Sequence, residues 1–248
     1  MLPGGDRKGK GRHGPNRHAL AARDGLRPGI TCMSATTLPP LPRHARRERT
    51  ADAAVHALGG AGALLGCAVL AGLARGPGDW LALAPYGLGL LAMYGCSAAY
   101  NLWPAGRVRA LLRRLDHAAI FIMIAGTYTP VVLLGFPGEW LGQALLALVW
   151  TGALAGAALK LLAPGRFERL SLGAYLLLGW LGVAGLPRLV ATLPGPDLAL
   201  LLGGGLVYSL GLPLHLARGL RYHDALWHGC VVVASACHFL LVLHLAGG

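Results

Sequence analysis

Seven apolar segments of about 20 residues each dominate this sequence and constrain its fold more than any other feature. A helix needs about 20 mostly apolar residues to cross a hydrocarbon core of about 30 Å, so each segment is long enough for one crossing. The composition agrees, because 55% of the residues are hydrophobic and only 13% are charged. The sequence therefore predicts an all-α integral membrane protein, a seven-transmembrane helix bundle with spans at 53–74, 80–102, 116–135, 139–162, 170–190, 197–216 and 225–246.

The basic residues indicate the orientation of these helices. Of the 22 lysines and arginines, eleven precede the first segment and nine lie in or beside the second, fourth and sixth connections. The opposite side has only Arg75 and Arg188. Because basic residues accumulate in cytoplasmic loops, this asymmetry predicts a cytoplasmic N-terminus and a C-terminus outside.

The first fifty residues are basic, are rich in proline and glycine, and lack the apolar core of a signal peptide. We expect residues 1–50 to form a disordered arm and residues 51–248 to form the membrane domain. Met33 is an alternative start, because nothing before it resembles structure. The net charge of +12 would ordinarily favour nucleic acids, but the basic residues lie in the arm and between apolar segments. That distribution indicates topology, so we expect no nucleic-acid partner.

Polar residues of four predicted helices fall at one depth, near the predicted cytoplasmic face. A charge at the centre of a membrane costs roughly 2.5–3.5 kcal/mol on insertion scales, so such groups are seldom kept without partners. We therefore predict a pocket on the cytoplasmic side to which four helices contribute. The residues concerned are His56, Ser97, Asn101, Asp116, His117, His223, Asp224 and His228. Asp116 has a simpler alternative role, which is to cap the start of span 3.

The start of span 7 has the spacing of a metal site. Asp224 and His228 are four residues apart, which places them one turn apart on nearly the same helix face. His223 and His228 lie about 140° apart around the helix, so they cannot share an ion unless the first turn is distorted. Because histidine, aspartate and water are ligands of catalytic zinc sites, the spacing predicts zinc held by His228 and Asp224.

Several strings resemble the hemolysin III family, which belongs with the progestin and adipoQ receptors, including the adiponectin receptors. They are SAAYN in span 2, LDHAAIFIMIAGTYTP at the start of span 3, AYLLLGWLGV in span 5, LLLGGGLVYSLG in span 6 and ALWHGCVVVASACHF in span 7. The string ADAAVHALGGAGALL resembles the usual first span of that family. The similarity covers residues 48–246, so it includes all seven predicted spans.

The resemblance implies a zinc site near the cytoplasmic side, in a superfamily proposed to contain metal-dependent lipid amide hydrolases. The family pattern is Ser-x-x-x-His on span 2, an aspartate opening span 3 and His-x-x-x-His on span 7. Ser97, Asp116 and His228 match it. Asn101 and Asp224 stand where the pattern has histidine. Neutral asparagine is a poor zinc ligand and aspartate a good one, so weaker binding, another metal or no metal are open alternatives.

The function that the resemblance implies is hydrolysis of a lipid amide or a related membrane lipid in the bacterial inner membrane. The expected metal residues are His228, Asp224 and His223, with Asn101 at a ligand position of the family; His117 and Asp116 are alternative third ligands. Asp116 would orient water or accept its proton, and Ser97 would donate a hydrogen bond. The competing class is a non-enzymatic regulator, a receptor-like protein or a pore-forming cytolysin. Outside the pocket no span has a continuous polar stripe, which argues against a pore.

Overall fold

The computed structural model describes residues 43–163 and 165–248. These residues form α-helices and one short 3₁₀ segment, with no strand among them. Within this described part of the chain, seven segments are long and apolar enough to cross a membrane, which agrees with the predicted number. The elements are α1 (Arg43–Leu73), α2 (Pro77–Leu102), α3 (Arg107–Gly135), α4 (Trp140–Leu162), α5 (Glu168–Trp180), the 3₁₀ segment (Leu181–Gly185), α6 (Leu186–Thr192), α7 (Gly195–Leu216) and α8 (His223–Gly247).

Two helices begin well before the apolar segments that predict them. The first begins at Arg43 instead of residue 53, and the third begins at Arg107 instead of residue 116. Hydropathy marks the part of a helix that lies in hydrocarbon, whereas arginine is a good helix former and allows the helix to continue into water. Residues 43–50 of the predicted arm are therefore helical. The remainder of that arm, 1–42 with Met33, lies outside the described residues.

The fifth predicted span is broken. The sequence predicts one helix over 170–190, but α5 ends at Trp180 and a 3₁₀ segment precedes α6. Tyr128 of α3 supports this break: the Gly182 amide donates to its oxygen at 2.7 Å, and its hydroxyl lies 3.0 Å from the Gly179 carbonyl oxygen. Backbone groups freed inside a membrane need partners, and this tyrosine supplies them.

Helix α3 lies at the centre of the bundle. Most of its apolar length is buried, whereas the other six spans are mostly exposed at their surfaces. It packs mainly against α2 and α4, while α1 packs against α2 and α8. Small residues allow α2 and α3 to approach closely, and Gly126 of α3 lies against the backbone of Pro85 of α2. This arrangement brings the predicted cytoplasmic ends of α1, α2, α3 and α8 around one space.

The Gly126→Ala variant is expected to be less stable than the wild type by about 1–3 kcal/mol, because overpacking forces the backbone to move. A Cβ atom at this position would lie 2.7 Å from the Pro85 carbonyl oxygen, which cannot rotate away as a side chain can. The matched control is Gly95→Ala in α2, whose Cβ would have no neighbour within 4 Å. Thermal unfolding in detergent should show a lower midpoint for the first variant only. Equal midpoints would mean that α2 and α3 move apart at this contact without a loss of stability.

Candidate metal centre

Three metal-ligating side chains from two helices meet at one end of the bundle. Asp52 and His56 lie one turn apart on α1, and His228 lies on α8. One potential ligand atom of each residue lies within 4.8 Å of the other two, and His228 Nδ1 lies 2.6 Å from Asp52 Oδ1. Within the part of the chain that the structure describes, no other three His, Cys, Asp or Glu residues meet this criterion. The cluster could hold a metal ion.

The His56 ring is held on both sides. Its Nδ1 lies 2.8 Å from the backbone oxygen of Asp52, which can only accept a hydrogen bond. In this geometry Nδ1 therefore carries the proton, and Nε2 faces Ser97 Oγ of α2 at 3.3 Å. The edge of this ring packs against His228, with the two ring centroids 4.2 Å apart. A histidine whose Nδ1–H is bound by a backbone carbonyl presents Nε2 as the basic nitrogen, as metal-binding histidines commonly do.

All six residues that the sequence predicts for the site line one cavity, together with His56: Ser97, Asn101, Asp116, His223, Asp224 and His228. Asn101 is turned toward its own helix, because its Nδ2 donates to the Ser97 carbonyl oxygen at 3.0 Å. Asp116 lies nine residues after the start of α3 at Arg107. It therefore cannot be the cap of this helix, which removes the simpler alternative for that carboxylate.

His223 and Asp224 lie at the mouth of the cavity. Helix α8 begins at His223, so both residues belong to its first turn, and 52% of the Asp224 side chain is exposed. The Nδ1 atom of His223 lies 3.1 Å from Asp224 Oδ1, so the two neighbours face each other. They do not form a close group of three ligands with His228, which lies one turn deeper and faces α1. Their assignment as ligands stays a prediction.

The cavity has a volume of about 920 Å³ and follows the bundle from one end to the other. His56 and His228 of the Asp–His–His cluster line it at one end, while an ion pair between Arg188 and Glu139 lies at the opposite end. The walls between the two ends are mostly apolar; they include Met123, Ile124, Val131, Leu201 and Leu202, with Tyr208 and Ser209 among the polar exceptions. A polar end joined to a long apolar chamber suits an amphiphile with one polar group and an acyl chain.

Sequence reasoning included His56 in the pocket but gave no role to Asp52. A signal was present, because Asp52 and His56 have the same Asp-x-x-x-His spacing as Asp224 and His228. That spacing occurs once at the start of the first span and once at the start of the last. Spacing alone does not show which aspartate contacts His228. The packing of α1 on α8 brings Asp52 to it.

A membrane protein with seven spans in its described residues, and an Asp–His–His cluster at one end of an internal cavity, is the class that this fold and site define. The family described as Haemolysin-III related matches residues 45–239, and the chain belongs to this family. This confirms the resemblance that the sequence motifs indicate.

Curated relatives agree with this assignment. The Hemolysin-3 homolog of Bacillus subtilis is 34% identical over 200 residues, covering 79% of this chain and 93% of the relative. Hemolysin-3 of Bacillus cereus is 37% identical over 163 residues, covering 66% and 74%. The human Monocyte to macrophage differentiation factor is 27% identical over 203 residues, covering 79% and 83%.

Proposed function

We propose that this protein is a metal-dependent hydrolase of a membrane lipid amide, with the ion held by Asp52, His56 and His228. The observation that carries the proposal is that His56 and His228 line the polar end of a mostly apolar cavity, while Asp52 contacts both histidines. Two imidazoles and one carboxylate form a ligand set of catalytic zinc sites, in which a fourth position stays open. The donor chemistry therefore fits a zinc ion.

The cavity supports a lipid as the substrate. Its volume of about 920 Å³ lies within the usual range of small-molecule sites, which is about 300–1,000 Å³. Its apolar walls would bury an acyl chain, and the bond to be cleaved would then lie near the polar end. The helices α5 and α7 contact each other only sparsely, which offers a lateral route from the bilayer.

The remaining polar residues have distinct roles in this proposal. A bound zinc ion would supply Lewis acidity, which polarises a carbonyl group and makes water a better nucleophile near neutral pH. The Asp116 carboxylate would orient the attacking water and accept its proton. The Ser97 hydroxyl lies 3.3 Å from His56 Nε2, and once that nitrogen binds the ion the hydroxyl would be free to donate a hydrogen bond to the developing oxyanion.

Metal analysis and a hydrolysis assay on the same detergent-purified protein test the proposal. We expect about one zinc per chain by inductively coupled plasma mass spectrometry, and release of fatty acid from a short-chain ceramide. Removal of the metal by a chelator should abolish release, and added zinc should restore it. A metal-free protein, or a zinc-loaded protein inactive on every amide tested, would contradict the hydrolase assignment.

The main alternative is a pore, because the relative from Bacillus cereus is named Hemolysin-3. A conducting path needs polar or water-lined walls, whereas the middle of this cavity is mostly apolar. Ion flux through liposomes that contain the purified protein would support the pore, and a protein that binds lipid without turnover would support a regulator or receptor-like role.

The proposal also places the protein in the bacterial inner membrane with its N-terminus in the cytoplasm.

A further inference from the structure

A second, smaller pocket lies between α3, α4 and α5, at the same end of the bundle as the Asp–His–His cluster. Its volume is about 340 Å³. Three basic side chains and one carboxylate line it, together with one histidine: Arg113, Arg114, Lys160, Glu168 and His117. We call this the basic pocket. Basic side chains exceed acidic ones here, so its lining has a net positive charge.

A single carboxylate, that of Glu168, lies close to several basic side chains in the basic pocket. Glu168 Oε1 lies 3.2 Å from Arg113 Nη2, and Glu168 Oε2 lies 3.4 Å from Lys160 Nζ. The His117 Nδ1 atom lies 3.8 Å from the same Oε2. Burial alone would raise the pKa of Glu168, but the Lys160 and Arg113 cations lower that pKa below its ordinary value. The carboxylate is therefore ionised near neutral pH, and its single charge is shared.

Arg114 completes the excess of positive charge. Among the described residues it forms no ion pair with a carboxylate, although it lines the same pocket and is half-buried. Only 5% of the Lys160 side chain is exposed. A buried ammonium ion beside hydrocarbon is costly unless a negative charge compensates it. Glu168 is the one carboxylate that lines this pocket, and it also pairs with Arg113. The pocket thus lacks about one or two negative charges, which an anionic ligand would supply.

We propose that the basic pocket binds a phosphate group, and that the phosphate belongs to the headgroup of an anionic lipid. Arginine pairs recognise phosphate oxygens through paired N–H donors, and basic pockets between transmembrane helices bind lipid headgroups. The surface beside the pocket is suited to acyl chains, because Leu111, Leu162 and Phe167 are exposed there. The basic pocket adjoins the large cavity, because Arg113, His117, Lys160 and Glu168 line both. None of the three residues of the Asp–His–His cluster lines it, so the proposal does not require a bound metal.

Lipid-dependent thermal stability tests this proposal. The probe is short-chain phosphatidylglycerol added to the whole protein in a zwitterionic detergent, with short-chain phosphatidylcholine and inorganic phosphate as separate arms. We expect phosphatidylglycerol at about 100 times its dissociation constant to raise the unfolding midpoint by about 5 °C or more. The Arg113→Gln/Arg114→Gln variant keeps the Lys160–Glu168 pair. Its half-saturation should rise about 25-fold, at about fivefold per cation removed.

The matched control is Arg107→Gln/Arg166→Gln, which removes two exposed cations from the same end without touching the basic pocket. Each variant is compared with its own midpoint without lipid, so a loss of basal stability does not obscure the result. A shift caused by phosphatidylglycerol and not by phosphatidylcholine, and weakened only in the pocket variant, supports the lipid phosphate. An equal shift with inorganic phosphate supports the phosphate site but overturns the lipid assignment. An equal response of both double variants, or no response of the wild type, overturns the proposal.

Discussion

The Asp52→Asn variant is expected to bind zinc more than about 100-fold more weakly than the wild type. Asp52 lies between the two histidines of the cluster, 2.6 Å from His228 Nδ1, and belongs to the one close group of three ligands in the described chain. Asparagine keeps the size of the side chain but removes both its charge and its value as a zinc ligand. Loss of residues that only support a ligand lowers affinity about 10–100-fold, so loss of a ligand should exceed that range. Competition with a fluorescent chelator measures the affinity.

Two controls make this result specific. Asp224→Asn is the same chemical change at the other Asp-x-x-x-His pair, and we expect the affinity to stay within about threefold. Asp197→Asn breaks a similar pair between helices at the opposite end, where Asp197 Oδ1 lies 2.7 Å from His244 Nδ1. It reports the effect of losing an Asp–His contact far from the cluster. Should Asp224→Asn lose zinc while Asp52→Asn retains it, the metal belongs to the pair that the sequence predicts and the Asp52 assignment is wrong.

The number of spans could be predicted because hydropathy depends only on the local sequence, whereas α1 and α3 begin before the apolar segments that predict them. The break in the fifth span could not be predicted in the same way. Gly179 and Gly182 weaken the helix, but the break is completed by hydrogen bonds to Tyr128, which lies about 50 residues earlier on α3. A helix inside a membrane can open only where another element satisfies its backbone. That condition is tertiary, so local sequence does not contain it.

The grouping of the polar residues at one end of the bundle could also be predicted, because the order of the spans fixes which helix ends lie together. The rotation of each helix about its own axis could not. Asn101 turns back to Ser97 one turn before it, and Asp224 stays at the exposed first turn of α8. Asp52 reaches His228 only because α1 packs directly against α8. Packing of apolar faces sets these rotations, and the polar residues alone carry no information about it.

The Asp116→Asn variant is expected to lower kcat for lipid amide hydrolysis by about 10²–10⁴-fold, the usual contribution of a general base. Asp116 lines the cavity together with Ser97 and His228, but it is not a member of the close Asp–His–His group. The substitution keeps the shape of the side chain and removes its ability to accept a proton. KM and zinc content should therefore stay nearly constant while kcat falls, and hydrolysis measured by mass spectrometry at saturating lipid gives the ratio.

The dependence of kcat on pH distinguishes a general base at Asp116 from a purely structural residue. A base must be ionised to act, so wild-type kcat should fall toward low pH as the Asp116 carboxylate becomes protonated, and this limb should be absent from the residual activity of the variant. Asp224→Asn again serves as the matched control, because it removes another carboxylate from the lining of the same cavity, and its profile should keep the limb. Loss of zinc together with activity in Asp116→Asn would instead make Asp116 part of the metal site. An unchanged kcat would mean that Asp116 takes no part in the reaction and that another group of the cavity accepts the proton.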